Sequence, residues 1–123
     1  MIKIEDTRII LTLLWVATML VYLLGDVMRI FAGDFTPGEI EGKKTSSSMW
    51  LGISAIMVLP IIMIVLTLLL GNPLIKWINI IMAIFFLVFN LVGIKGYKSY
   101  DVFLLIVSFG FNIIVVLYAW NWI

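Results

Sequence analysis

The residues of this chain that could do chemistry are few, and they do not assemble into a catalytic set. The sequence of 123 residues contains no His and no Cys. That excludes thiol–disulfide redox work, Cys/His zinc sites, His-ligated haem and a His general base. No Gly-rich phosphate loop, no Ser–His pair, no pair of membrane-facing acids and no metal-ligand cluster can be read from the sequence. No catalytic residue, metal or other cofactor is expected. What stands out instead is a handful of polar side chains set in apolar sequence: Tyr22, Asp26, Arg29, Asn79, Asn90 and Asn112.

Among these, Asp26 is the carboxylate that falls most clearly inside an apolar run. An Asp at mid-bilayer costs about 2.5–3.5 kcal/mol on insertion scales, so an intramembrane acid is a functional candidate by default. Asp26 also lies near the end of its run, and Arg29 follows at the i, i+3 spacing that lets the two side chains pair on a helix. Two readings stand side by side: an ion pair at headgroup depth with a structural role, and a proton or cation site.

The elements that must position these residues follow from composition. The chain is 64% hydrophobic and 12% charged, with a mean hydropathy of +1.24, whereas soluble domains carry roughly a quarter charged residues. A small soluble domain buries too little of its surface to hide so much apolar area, so lipid must cover the rest. A net charge of +1, with no clustered Lys/Arg stripe, argues against nucleic acid as a partner. A membrane-spanning helix needs about 20 apolar residues, and four runs supply them, at about 9–31, 50–70, 74–93 and 100–122. The expected fold is all-α: one transmembrane domain over 1–123, an integral membrane four-helix bundle running up, down, up, down. The short second and third connections make consecutive helices antiparallel neighbours.

Local signals place the ends. Asp6-Thr7 can cap the first helix. Gly71-Asn72-Pro73 breaks the chain, with Asn72 expected as N-cap and Pro73 at the first helical position. Pro60, near the middle of the second span, removes a helical hydrogen bond and predicts a bend. The first run is too long for a signal-peptide core and carries Glu5 and Asp6 in its flank, so it reads as a retained span. Trp50, Tyr97 and Tyr100 fall at one membrane face and Trp77, Trp120 and Trp122 at the other, as interfacial aromatic belts do. Lys and Arg are divided between the faces, with Arg29, Lys43, Lys44, Lys95 and Lys98 on one and Lys3, Arg8 and Lys76 on the other. Orientation in the membrane stays open.

Helical spacing predicts the inward seams. On the first helix Thr12, Trp15, Met19, Tyr22, Asp26 and Arg29 recur at steps of three and four. Asn79, Ala83, Phe86, Asn90, Gly93 and Tyr97 do so on the third, and Asp101, Leu105, Ser108, Asn112, Val115, Ala119 and Trp122 on the fourth. Ile80, Leu87 and Ile113 are expected to face lipid. Such seams serve either as glue between helices, where an Asn contributes about 0.6 kcal/mol and at most about 2, or as the wall of a polar cavity. The loop 32–49 has turn chemistry and three acids but not the alternating oxygen-ligand pattern of an EF-hand, and reads as a solvated connection.

Several short motifs carry a resemblance. Glu5-Asp6-Thr7-Arg8, Tyr22-Leu23-Leu24-Gly25-Asp26-Val27, Gly33-Asp34-Phe35-Thr36-Pro37-Gly38-Glu39-Ile40, Leu59-Pro60-Ile61-Ile62-Met63 and Lys76-Trp77-Ile78-Asn79-Ile80-Ile81 resemble those of a family of small prokaryotic four-span membrane proteins of unknown function. More distantly, the chain is similar to DoxX-like membrane proteins. The resemblance implies a four-helix bundle in a prokaryotic cell (inner) membrane, with Asp26, Pro60, Trp77 and Asn79 as candidate shared positions, and it implies no chemistry.

Two functions fit these observations. The first is a non-enzymatic membrane protein that acts through helix packing with itself or a membrane partner, with the lipid bilayer as its constant partner. The alternative is a small oligomeric transporter or channel for a small solute or ion, using the polar seam around Asp26. A water-accessible cavity lined by Tyr22, Asp26, Asn79, Asn90 and Asn112 would favour the alternative, and a dry, paired seam the first.

Overall fold

A computed structural model describes residues 6–40, 43–94 and 96–122. Helix α1 covers Asp6–Phe31, and a two-stranded hairpin, β1 (Glu39–Ile40) and β2 (Lys43–Lys44), follows. Then come α2 (Ser47–Met57), α3 (Leu59–Leu69), α4 (Leu74–Gly93) and α5 (Ser99–Trp120). Helices α2 and α3 together make one membrane-length segment, so four segments are long and apolar enough to cross a bilayer. The arrangement is all-α apart from the hairpin.

The chain ends its helices by identifiable means. At the end of α1 the Gly33 N–H donates to the Ile30 carbonyl at 3.1 Å and the Asp34 N–H to the Arg29 carbonyl at 2.9 Å. This double closure requires a left-handed residue, which Gly33 supplies with φ +78°. Ser46 caps α2, its Oγ accepting from the Met49 N–H at 3.3 Å. That cap starts the second span at Ser47, earlier than apolar content alone indicates. The junction before α4 differs from expectation. The Asn72–Pro73 bond is cis, Pro73 occupies the N-cap, Leu74 opens the helix and no side chain caps it. Proline has thus moved one position outward, and Asn72 does not cap.

Contacts at the helix ends fix the topology. Arg8, at the start of α1, reaches carbonyls at the end of α3 and lies against Trp122 just after α5. Arg29, near the end of α1, meets Asp101 at the start of α5. Trp77 at the start of α4 packs on Trp120 at the end of α5, ring centroids 5.9 Å apart. Successive spans therefore run antiparallel. Helix α1 packs against α3 and α5, and α5 against α4. α1 and α4 lie diagonally across the bundle and touch through the large side chains Trp15, Tyr22 and Phe86.

The buried face of α1 runs through Arg8, Leu11, Trp15, Thr18 and Gly25, with Tyr22 and Arg29 half-buried in the same row. The expected stripe shares Trp15, Tyr22 and Arg29 with it but took Thr12, Met19 and Asp26 where Leu11, Thr18 and Gly25 turn inward. Polarity misled the choice at 25 and 26. Asp101 and Leu104 of α5 come against the α1 backbone at Gly25, where a Cβ would sit 3.8 Å from each. Asp26 is consequently turned outward, its side chain 51% exposed. On α4 the buried residues are Ile75, Asn79, Ile80, Ala83 and Phe86; on α5 they are Asp101, Ser108, Asn112, Val115 and Ala119. Ile80, expected to face lipid, is buried because α4 packs over a face wider than one polar row, while Ile113 is exposed. Trp122 is buried beneath Arg8 rather than placed in an interfacial belt.

The apolar core of Leu11, Trp15, Met63, Ile75, Ala83, Phe86, Val115 and Ala119 lies in the half of the bundle that holds the two ends of the described chain. Toward the hairpin the packing thins. None of the α2 residues is buried, and among the described elements α2 packs closely only against its continuation α3. Pro60, second residue of α3, has no N–H for the helical ladder, and the helix is interrupted at Val58. Below this break α3 joins the bundle through Pro60, Met63 and Thr67. Above it α2 diverges.

This topology predicts opposite accessibility for residues at the two ends. In a chain carrying a single introduced thiol, Lys44→Cys and Asn121→Cys should react with an impermeant reagent from opposite sides of sealed vesicles. Reaction of both from one side would contradict the four-span arrangement.

Candidate functional site

Two polar clusters lie along the bundle axis and differ in kind. In the termini-side half, Arg8 Nη1 donates to the carbonyls of Thr67 at 2.7 Å and Leu70 at 2.6 Å. These carbonyls end α3 and have no helical partner, and a cation at a helix C-terminus is favourable in addition. The guanidinium also lies 5.0 Å from the Trp122 ring centroid. One layer deeper, Trp15 Nε1 donates to Asn79 Oδ1 at 2.7 Å, and Asn79 Nδ2 donates to the Ile75 carbonyl at 2.9 Å and to Thr67 Oγ1 at 3.3 Å. Trp15, Asn79 and Thr67 are all fully buried. Three helices are tied together by these buried hydrogen bonds, whose side chains are shut off from solvent.

Phe86 separates the two clusters. Its ring is buried, edge-on to Trp15 at 6.2 Å below and tilted against Tyr22 at 6.0 Å above.

Above Phe86 the polar groups surround a cavity of about 110 Å³, lined in part by Tyr22, Asp26, Arg29, Asn90, Tyr97 and Asp101. The Tyr22 hydroxyl accepts from Asn90 Nδ2 at 2.8 Å. Arg29 Nη1 donates to Asp101 Oδ1 at 3.1 Å, and Nη2 donates to Asp26 Oδ1. The Asp101 side chain is 7% exposed, so one guanidinium bridges a buried carboxylate on α5 and an exposed one on α1. Ser108 and Asn112 flank the Tyr22 hydroxyl from below. Asn112 is fully buried beside that hydroxyl.

The cavity is continuous with a groove of about 460 Å³ that shares Asp26, Arg29, Met57 and Tyr97 and is walled further out by Phe35, Trp50 and Ile53. Helix α2 thus forms one wall without packing on α1 or α4. The rim is held by Asp34, which accepts from the Tyr100 hydroxyl and pairs with Lys98 Nζ at 3.6 Å. The shape is a vestibule floored by Phe86 and bordered toward the hairpin by Phe35 and Ile40.

The sequence-derived candidates therefore divide. Tyr22, Asp26, Arg29 and Asn90 meet in the vestibule, Asn112 lies just beneath it, and Asn79 belongs to the dry cluster beyond Phe86. Pro60 lies at the break that lets α2 swing out. Sequence reasoning placed the important intramembrane acid at Asp26, but the buried carboxylate is Asp101, whose signal was its position at the head of the 101–105–108–112 row. Arg8 and Thr67 were also missed as partners. Their signal was weaker, since an Arg near a chain end and an isolated hydroxyl resemble solvated or incidental residues.

The shared guanidinium makes the three charged residues unequal. Arg29→Gln leaves Asp101 buried without a cation and should destabilise the bundle by about 3 kcal/mol or more. Asp26→Asn removes an exposed partner and should cost about 0–1 kcal/mol. Equal losses for the two variants in a reversible detergent unfolding series would show that Asp101 does not depend on Arg29.

No curated protein and no solved structure matches the chain, so the distant likeness to DoxX-like proteins gains no support. The sequence model of one family, described as "Family of unknown function (DUF6326)", matches residues 2–123. With the match covering nearly its full length, the chain belongs to the DUF6326 family.

Proposed function

We propose that this chain is a non-enzymatic membrane protein that binds a small amphipathic solute in the hairpin-side vestibule, as the binding step of a carrier. The observation that carries this reading is the contrast between the two halves of the bundle. A dry half closed by Trp15, Asn79, Thr67 and Arg8 supports a half whose ionised and amide groups line an accessible cavity. The ionised side chains are paired with one another, yet they border a cavity, and charged groups at membrane depth that face a cavity commonly mark a pathway.

A second reading rests on α2, which buries no residue against its own bundle. Packing of α2 against a second copy or another membrane protein would cover it, and the carrier reading is compatible with an oligomer of this kind.

The carrier reading predicts a sharp difference between two asparagines. A thiol at Asn90→Cys should react with a small polar reagent added from the hairpin side of proteoliposomes, and a thiol at Asn79→Cys should not. Protection of both, with no flux of small amphipathic solutes into the same liposomes, would remove this reading and leave the packing role. Reaction of both would show that Phe86 is not a floor.

A further inference from the structure

The vestibule's charge and walls indicate the kind of solute it takes. Asp26 and Asp101 share the guanidinium of Arg29, and at the rim Asp34 is matched by Lys98. Among the described residues the site therefore carries one negative charge in excess. An anion would meet this excess and would find Arg29 already donating to two carboxylates. A neutral solute would gain nothing from it. A cation is attracted, more strongly than in water because the surroundings are apolar and the effective dielectric constant is low.

The walls then choose between kinds of cation. Metal ions need several oxygen ligands, and no group of three or more His, Cys, Asp or Glu side chains that could hold a metal ion occurs among the described residues. The cavity instead presents aromatic rings from Tyr22, Phe86, Phe89 and Tyr97. Ring faces attract substituted ammonium groups, which are weakly hydrated and lose little on leaving water. The adjoining groove, with Phe35, Trp50 and Ile53, offers apolar surface for a substituent. Because α2 packs closely only on α3 among the described elements, the groove has no sealed helix seam toward the bilayer, where an amphipathic cation concentrates.

Resting on the vestibule reading above, we propose that the solute is an organic cation: a substituted ammonium group that pairs with Asp101 among the aromatic rings, its apolar part lying in the groove beside α2. This assigns distinct roles to the two acids. When the ligand cation engages Asp101, Arg29 keeps Asp26, one turn away on its own helix, and is not left without a partner. A single carboxylate would force ligand and Arg29 to compete. Two let the guanidinium step aside.

The test uses the full chain in lipid nanodiscs and three ligands of similar shape: benzyltrimethylammonium, its uncharged carbon isostere neopentylbenzene, and the anion phenylmethanesulfonate. Binding is measured calorimetrically against empty nanodiscs. The expected result is binding of the cation about tenfold or more tighter than either comparison ligand, as about 1.4 kcal/mol of charge and ring attraction gives. Asp101→Asn should weaken cation binding by about tenfold or more, while Tyr97→Leu and Phe89→Leu, at half-exposed positions, should weaken it several-fold in a folded protein. Should Asp101→Asn fail to fold, the two ring variants and the ligand comparison decide. Equal or tighter binding of the neutral or anionic ligand would overturn the cation assignment and leave the vestibule reading intact. So would cation binding indifferent to Asp101 and to both rings. Binding of none of the three above empty nanodiscs, together with protection of the Asn90→Cys thiol, would overturn both.

Discussion

At the hairpin end of the bundle, a charged bridge ties α1 to α5 where the two helices come close. Arg29 on α1 joins Asp101 on α5 across a 3.1 Å contact and holds Asp26 on its own helix at the same time. Without the bridge Asp101 would be a buried, unpaired carboxylate, which apolar surroundings do not tolerate. The approach that lets the two meet depends on Gly25, whose missing side chain leaves room for Asp101 and Leu104 against the α1 backbone. The α1–α5 pair fixed in this way is the frame on which α3 packs from one side and α4 from the other. The vestibule exists because its most expensive component, a buried ion pair, is also the contact that closes the frame.

The opposite end is built on another principle. There Trp15, Asn79 and Thr67 exchange buried hydrogen bonds, and Arg8 covers the carbonyls that end α3. Each hydrogen bond across helices in lipid is worth only about 0.6 kcal/mol, but breaking one strands its partner away from water. Pro60 and the interruption at Val58 divide the second span between the two regimes. Its lower part belongs to the closed half, and its upper part, α2, is a wall standing off from an open chamber. A bend in one helix thus converts a four-helix bundle into a closed base and an accessible top.

Much of this could be read from the sequence, and the parts that could not share a cause. Four spans, their alternation and the inward rows of α4 and α5 follow from hydropathy and from steps of three and four, because in lipid only the protein-facing side accommodates polar groups. On α1 the inward row keeps Trp15, Tyr22 and Arg29 of the polar stripe but turns Leu11, Thr18 and Gly25 inward beside Thr12, Met19 and Asp26. Polarity marks Asp26 as interior, whereas the approach of the helices needs the glycine next to it. A glycine's inward position leaves no signal in hydropathy. For the same reason Asp26 drew the attention that belonged to Asp101, which looks from its position like an ordinary acid in the first turn of a helix. Asn79 and Asn90 are eleven residues apart on one face of α4, yet they serve different clusters, and only the placement of Phe86 between them separates dry from accessible. Partners across 59 residues or more, such as Arg8 with Thr67 or Tyr22 with Asn90, depend on helix register, which one sequence does not specify.

The central claim is that water reaches the polar groups above Phe86 and not those below it. Water-edited solid-state NMR on the native sequence in lipid bilayers measures this directly, through the rate at which water polarisation arrives at assigned side chains. The account predicts rapid transfer to Asn90 and Asp101 and slow transfer to Asn79 and Thr67. Equally slow transfer to all four would contradict it, and so would transfer to Asn79 as fast as to Asn90.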